Sequence, residues 1–382
     1  MSRIYAVSRI NAVLRPGLVL LLAVALAGCA GAPRTPQAPL EAQAPAAAAA
    51  PGASTGSLEG APFLIEVPPS WNGELVMFLH GYEPVGTPRE TPLAANDFDR
   101  WLLSEGFAVA RSSYSAQGWA VAEALADNER LRQHAVKLLG KPRRTWLVGN
   151  SMGGLLVLAS LERHPDAYDG GLSLCGVNSS AEEIIGRGGL DPLAAFDHYF
   201  PGTLGLAAGG LADPASPLSA DPETIETALA SNESRAGQLA ASFDIHRGDL
   251  AGALMLQYLV LRELSVRAGG LPVSNRETVY RGFDDDVGLN AAVRRYDADP
   301  DAAAYLRANV TLTGKALRPV VILSNANDPT VPARFAGRYA ELAQAAGYAD
   351  QVLTLAPVGD GHCAFSQVDI GRALRELVQR PR

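Results

Sequence analysis

Residues 148–156 read Val-Gly-Asn-Ser-Met-Gly-Gly-Leu-Leu, between an apolar run at 145–148 and a helix-like run at Met152–Arg163. Few features restrict a fold more. A serine held between glycines, where a strand becomes a helix, sits on a turn too tight for larger neighbours. The Gly-x-Ser-x-Gly spacing in that context presents the hydroxyl above the end of a sheet. The alternative is a helix N-cap serine with incidental glycines. The first reading demands a parallel sheet beneath the turn, and a base, an acid and an oxyanion pocket elsewhere in the chain.

The rest of the chain supplies the sheet. Short apolar runs at 63–67, Glu74–Leu79, 107–111, 145–148, 171–175, Val320–Leu323 and 351–355 read as strands. Runs at Asp97–Ser104, 119–139, Met152–Arg163, 333–346 and 365–378 have helical spacing, with stop signals at Gly140-Lys141-Pro142 and Pro165. Strands alternating with helices predict a mostly parallel central sheet flanked by helices, and the continuous apolar character of the strands fits burial on both faces. Ligands of such sheets bind beyond the carboxyl ends of the strands. Residues 179–316 break the rhythm. They hold helical runs at 222–229 and Leu250–Ala268 and Gly-rich loops, and they read as a helical cap insertion over the sheet.

The amino terminus reads as a targeting segment. Arg3, Arg9 and Arg15 precede a short apolar run at 18–27, too short to span a bilayer, which ends in Leu26-Ala27-Gly28-Cys29. This resembles the lipobox of bacterial lipoproteins, in which the cysteine is acylated and becomes the first residue of the mature chain. The expected organisation is a signal peptide over 1–28, an Ala/Pro-rich tether over 29–57 and one domain over 58–382. A plain cleaved signal at Ala25-Leu26-Ala27 is the alternative, which predicts a secreted or periplasmic protein. Ala30 after the cysteine, in place of aspartate, leans towards the outer membrane. The formal net charge of −8 and the lack of a dense basic patch argue against a nucleic-acid partner.

The base and the acid follow in chain order. His80-Gly81 closes the run Glu74–Leu79, and the loop after that strand, with the helix start after the serine, offers the backbone amides of Tyr82 and Met152 as oxyanion donors. His80 itself reads as a residue that organises its loop. Asp328, in Asn327-Asp328-Pro329-Thr330-Val331-Pro332, stands just past a strand, and His362 alone among the six histidines follows the last strand. Asp360 competes for the role of acid but is too close in sequence to reach the histidine ring easily. Asp284-Asp285-Asp286 reads as a solvated loop, with a calcium site as its alternative. Tyr82, Tyr114 and Trp119 fall on loops at the reactive edge, as pocket candidates or packing residues, and His80 is a further pocket candidate. No metal site is expected, because no Cys or His cluster has ligand spacing and HExxH is absent. No cofactor is expected either, since a phosphate-binding glycine loop is missing.

Together, His80-Gly81, Gly149-Asn150-Ser151-Met152-Gly153, Asp328-Pro329-Thr330-Val331-Pro332 and Gly361-His362 resemble the α/β-hydrolase superfamily over about residues 60–380. The resemblance implies an α/β-hydrolase fold and a serine hydrolase in which Ser151 attacks, His362 moves the proton and Asp328 supports it. A carboxylic ester is the expected substrate. Runs such as 113–120 and 361–365 are similar to secreted bacterial hydrolases, and some lipoproteins of this superfamily cleave oxidised polyvinyl alcohol at β-diketones. A C–C hydrolase of that kind, or a serine peptidase, is therefore the alternative, and a surface binding protein on a hydrolase scaffold is the remaining one. Tannase-like and feruloyl-esterase-like members carry a disulfide beside the triad, in which the first cysteine adjoins the serine. Here it does not, but Cys175 and Cys363 could form a comparable bridge; two buried free thiols are the alternative.

Overall fold

The computed structural model describes residues 51–381 apart from 91, 92 and 181. The expected signal, Cys29 and most of the expected tether lie outside the described residues.

Among the described residues, eight strands form one sheet: β1 (Gly52–Leu58), β2 (Ala61–Val67), β3 (Glu74–Leu79), β4 (Ala108–Ser112), β5 (Arg144–Asn150), β6 (Gly170–Leu174), β7 (Val320–Leu323) and β8 (Val352–Thr354). Their spatial order is β1-β2-β4-β3-β5-β6-β7-β8. The β1–β2 and β2–β4 pairs are antiparallel, and every pair from β4 to β8 is parallel. Residues 52–57 were expected to be tether and are instead an edge strand, in register from Gly52 opposite Val67 to Leu58 opposite Ala61. Their Gly/Ala/Ser/Thr composition carries no apolar alternation. The partner strand's backbone supplies the order, and Gly56 leaves room for the Phe63 ring, which a Cβ there would meet at 2.9 Å.

Among the described residues, eleven α-helices accompany the sheet: α1 (Asp97–Ser104), α2 (Val121–Leu139), α3 (Met152–Arg163), α4 (Asp191–Tyr199), α5 (Pro222–Ala230), α6 (Glu233–Ser242), α7 (Leu250–Ala268), α8 (Asp286–Ala292), α9 (Pro300–Val310), α10 (Arg338–Ala346) and α11 (Gln367–Gln379). Successive strand residues point to opposite faces, and both faces of the central strands are buried. Val76 and Phe78 of β3, Trp146 and Val148 of β5 and Val321 and Leu323 of β7 pack with Leu102 of α1 and Leu374 and Leu377 of α11. The intervening Leu75, Met77, Leu147 and Ile322 pack with α2 and α3. That two-sided burial is why the central strands read as nearly unbroken apolar runs.

Between β6 and β7 no strand occurs among the described residues. A π-helical segment, Glu182–Leu190, leads into α4, and the segment continues through α9. Asp284-Asp285-Asp286, expected as a solvated loop, starts α8 instead: the Asp285 carboxylate accepts from the Gly288 N–H at 2.7 Å and serves as the cap. The single helix expected over 333–346 is divided, with a 3₁₀ turn at Ala333–Phe335 and α10 beginning after Gly337. No helix among the described residues is long and apolar enough to cross a membrane.

Candidate active site

The chain runs from β3 to β4 on one side of β3, then crosses to β5 on the other side. That reversal opens a crevice at the carboxyl ends of β3 and β5, where ligands of open parallel sheets bind. The loop after β3 and the turn after β5 meet there. A Cβ on Gly81 would lie 3.0 Å from the Ser151 Cβ.

Ser151 occupies the turn with φ 56° and ψ −122°, a conformation that costs a non-glycine residue roughly 1–3 kcal/mol and persists only where the surroundings enforce it. Two glycines make the turn possible. A Cβ on Gly149 would stand 2.3 Å from the Gly153 carbonyl oxygen, and one on Gly153 would stand 2.0 Å from the Leu79 carbonyl oxygen. The Ser151 N–H donates to the Leu174 carbonyl at 3.0 Å, and the Ser151 carbonyl accepts from the Gly154 N–H at 2.9 Å. The side chain makes no cap bond to α3, which excludes the N-cap reading.

The Ser151 Oγ lies 2.8 Å from His362 Nε2, and His362 Nδ1 lies 2.8 Å and 3.0 Å from the two Asp328 oxygens. Asp328 is 7% exposed, and its Oδ1 also accepts from the N–H groups of Thr330 and Val331, at 2.8 and 2.9 Å. The carboxylate is thus oriented from two sides. With Nδ1–H donating to Asp328, the tautomer leaves the Nε2 lone pair facing the serine hydroxyl.

The carboxylate bonded to His362 is that of Asp328, and Asp360 is engaged elsewhere. Its Oδ1 accepts from Asn327 Nδ2 at 2.6 Å, and the Gly361 N–H donates to the Asn327 carbonyl at 2.8 Å. These bonds join the aspartate loop to the histidine loop. Asn325 adds two more, from Nδ2 to the carbonyls of Val358 (2.9 Å) and Ala364 (3.2 Å). Cys175 and Cys363 are disulfide-bonded, with their Cα atoms 5.2 Å apart. The bridge fastens the residue next to His362 to the end of β6, beside the serine turn. Cys175, His362 and Cys363 place three potential metal-ligand atoms within 4.8 Å of one another, but the two sulfurs are bonded to each other and offer no thiolate.

Met152 is the first residue of α3, so its N–H has no intrahelical acceptor. It and Tyr82, which follows Gly81, flank the serine. The other sequence candidates separate. An apolar cavity of about 70 Å³, measured as space open to the centre of a water molecule, adjoins Ser151 and is lined by Tyr82 and Trp119. His80 and Tyr114 do not line it. They form a stacked pair behind the loop, with ring centroids 4.0 Å apart, and the Tyr114 hydroxyl donates to the His80 carbonyl at 2.9 Å. His80 Nδ1–H donates to the Gly81 carbonyl at 2.8 Å. Burial pushes the His80 pKa down to about 4, so the ring stays neutral at physiological pH. Both side chains hold the β3 loop from beneath and are packing residues.

Sequence reading expected a helical cap over 179–316 but did not single out the residues of it that line the cavity. Ile184, Ile185, Gly188 and Gly189 come from the π-helical segment, and Leu256, Gln257, Val260 and Leu261 come from α7. Local π-helical geometry frequently marks functional sites. One signal was available: Gln257 is a lone amide in the apolar run 253–261. The roof is tied to the floor by Glu263 of α7, whose carboxylate accepts from the Trp119 N–H at 3.2 Å, and by an Arg267–Glu123 ion pair.

No family model matches the sequence, and no curated protein matches it. Solved structures do match. The esterase RhEst1 from Rhodococcus sp. ECU1013 is 17% identical, over 85% of this chain and 97% of its own, with a TM-score of 0.41. Est1E from Butyrivibrio proteoclasticus is 15% identical over 86% and 100%, with a TM-score of 0.41. The 2-hydroxy-6-oxo-6-phenylhexa-2,4-dienoate hydrolase from Rhodococcus sp. strain RHA1 is 15% identical over 84% and 95%, with a TM-score of 0.39. A mostly parallel eight-stranded sheet, a reversal between β3 and β5, a strained serine turn between strand and helix at that reversal, and helices on both faces together define the architecture: this chain has the α/β-hydrolase fold.

Proposed function

We propose that the protein is a serine hydrolase that cleaves carboxylic esters through an acyl-enzyme. The observation that carries this reading is the continuous hydrogen-bonded chain from Ser151 Oγ through His362 to Asp328. Ser151 Oγ attacks the ester carbonyl carbon and passes its proton to His362 Nε2. The imidazolium that forms is stabilised by the Asp328 carboxylate, and the oxyanion is received by the amides of Tyr82 and Met152 at the positive end of α3. Collapse expels the alcohol, which takes the proton from Nε2. Water, deprotonated by the same nitrogen, then attacks the acyl-enzyme and frees the acid and Ser151.

The test is labelling with a fluorophosphonate, mapped by peptide mass spectrometry, beside hydrolysis of p-nitrophenyl acetate and butyrate. Labelling at Ser151 with turnover, both lost in a folded Ser151→Ala variant, is the expected result. Labelling without ester turnover would move the reading to β-diketones or peptides. Turnover retained by Ser151→Ala would refute the mechanism.

We also propose export and lipid anchoring through Cys29, which lies outside the described residues. The disulfide supports an oxidising compartment, since such bonds are rare in the cytosol. The expected result for Cys29→Ala is loss of the membrane-bound fraction in the native host; unchanged partitioning would overturn the anchor.

A further inference from the structure

The cavity beside Ser151 is apolar in nearly all of its wall, yet two of its lining side chains carry polar atoms that bond to nothing. The Trp119 Nε1–H and the Gln257 Oε1 are each buried without a hydrogen-bond partner. Trp119 is 5% exposed. The Tyr82 phenol, also on the wall, faces the Glu263 carboxylate; burial first and this carboxylate second hold the phenol above its usual range. An unpaired buried donor or acceptor carries a desolvation penalty, and native interiors pair more than nine in ten such groups. Two at one small cavity, from separate elements, are not a packing accident of one segment. Trp119 precedes α2, and Gln257 belongs to α7 of the roof.

The chemistry of the two groups selects the occupant. The indole N–H can only donate, and the carboxamide oxygen can only accept. A carboxylate in the cavity would meet no cation, because no charged residue lines it. A purely aliphatic acyl group would leave both unpaired. A hydroxyl satisfies the set: it accepts from Trp119 and donates to Gln257. We infer that the cavity is an acyl pocket selective for esters whose acyl part carries a hydroxyl group away from the carbonyl, with Trp119 and Gln257 as specificity-determining residues. The inference rests on the hydrolase reading given above and names its substrate class.

The selectivity expected is large. A pocket that only excludes or accepts a methylene discriminates roughly 10–200-fold, whereas a site built to bond a substrate hydroxyl disfavours the analogue lacking it by up to about 10⁴–10⁵. The comparison uses matched pairs: methyl 3-(4-hydroxyphenyl)propanoate against methyl 3-phenylpropanoate, and methyl 6-hydroxyhexanoate against methyl hexanoate. The expected result is a kcat/KM ratio above about 100 in favour of the hydroxylated member of at least one pair, falling to within roughly tenfold of unity in Trp119→Phe and Gln257→Leu. The two pairs separate an aryl from an alkyl occupant. A ratio near unity in the wild-type protein, or a ratio that both folded variants leave unchanged, overturns the inference while Ser151 labelling keeps the hydrolase reading intact. The second measurement does not need turnover. Calorimetric binding of 3-(4-hydroxyphenyl)propanoic acid, 3-phenylpropanoic acid, 6-hydroxyhexanoic acid and hexanoic acid to Ser151→Ala is expected to favour a hydroxylated acid over its partner, and equal or absent binding in both pairs counts against the pocket. If Ser151 fails to label, the hydrolase reading falls, and the binding comparison still decides whether the cavity recognises a hydroxyl.

Discussion

Removing the disulfide should cost the protein much stability and little turnover. Cys175 and Cys363 are 188 residues apart in sequence. In the chain-entropy relation, closing a loop of that length lowers the unfolded chain's freedom by about 5 kcal/mol at 25 °C, and measured bridges usually deliver about 2–5 kcal/mol. The histidine loop has other attachments. The Gly361 N–H bonds the Asn327 carbonyl at 2.8 Å, the Ala326 N–H bonds the Gly359 carbonyl at 2.9 Å, and Asn325 reaches Val358 and Ala364. Three or four hydrogen bonds of about 1 kcal/mol each can hold the loop in the folded state without the bridge. The entropic term acts on the unfolded state and has no such substitute. The assay is urea unfolding with and without reductant, with Cys175→Ala/Cys363→Ala as the covalent control, and kcat measured in native buffer. A stability loss of about 2–5 kcal/mol with kcat reduced less than about tenfold is expected. A loss under about 1 kcal/mol would refute the entropic argument. Collapse of kcat in a folded double variant would show that the bridge, and not the hydrogen bonds, holds His362 in place.

Three further outcomes are expected. Asp328→Asn keeps the shape but cannot enforce the Nδ1–H tautomer, so kcat should fall roughly 10³–10⁴-fold with the melting temperature little changed; a loss under tenfold would remove Asp328 from the proposed mechanism. Gly153→Ala forces a Cβ to 2.0 Å from the Leu79 carbonyl and should cost more than about 3 kcal/mol, while Gly237→Ala in α6, with nothing within 4 Å, should gain about 0.5–1 kcal/mol; thermal melts of both decide it. For His80 the folded pKa, about 4, lies below the unfolded 6.5, so the unfolded chain binds the extra proton and stability falls as the pH drops from 6.5 towards 4. The loss amounts to at most about 3 kcal/mol, and His80→Phe, which can keep the stack on Tyr114, should remove that share of the acid limb; an unchanged stability–pH slope would refute it.

The fold was legible because the sheet is buried on both faces. The central strands had to be apolar along most of their length, and several helices between them end at a glycine or just before a proline, so the alternation shows in one dimension. Ser151, Asp328 and His362 were legible for a related reason: each stands just past the end of a strand, and strand ends can be read from composition. Strand β1 could not be read, because its residues gain order only from the backbone of β2. The assignment of Asp285 as a cap was equally hidden, since an acidic triplet looks alike in a loop and at a helix start.

What the sequence by itself determined is the scaffold and the side chains that meet at the candidate site, because local patterning and turn chemistry set them. Only the tertiary structure decided which candidates face the cavity. His80 and Tyr114 lie close to the site in sequence yet pack against each other beneath the loop, while Gln257, more than a hundred residues from Ser151, comes to line the cavity. Position along a chain fixes which residues are neighbours by covalent connection. Which of them share a cavity depends on how the helices of the 179–316 segment pack over the strand ends, and that packing is settled by contacts distant in sequence.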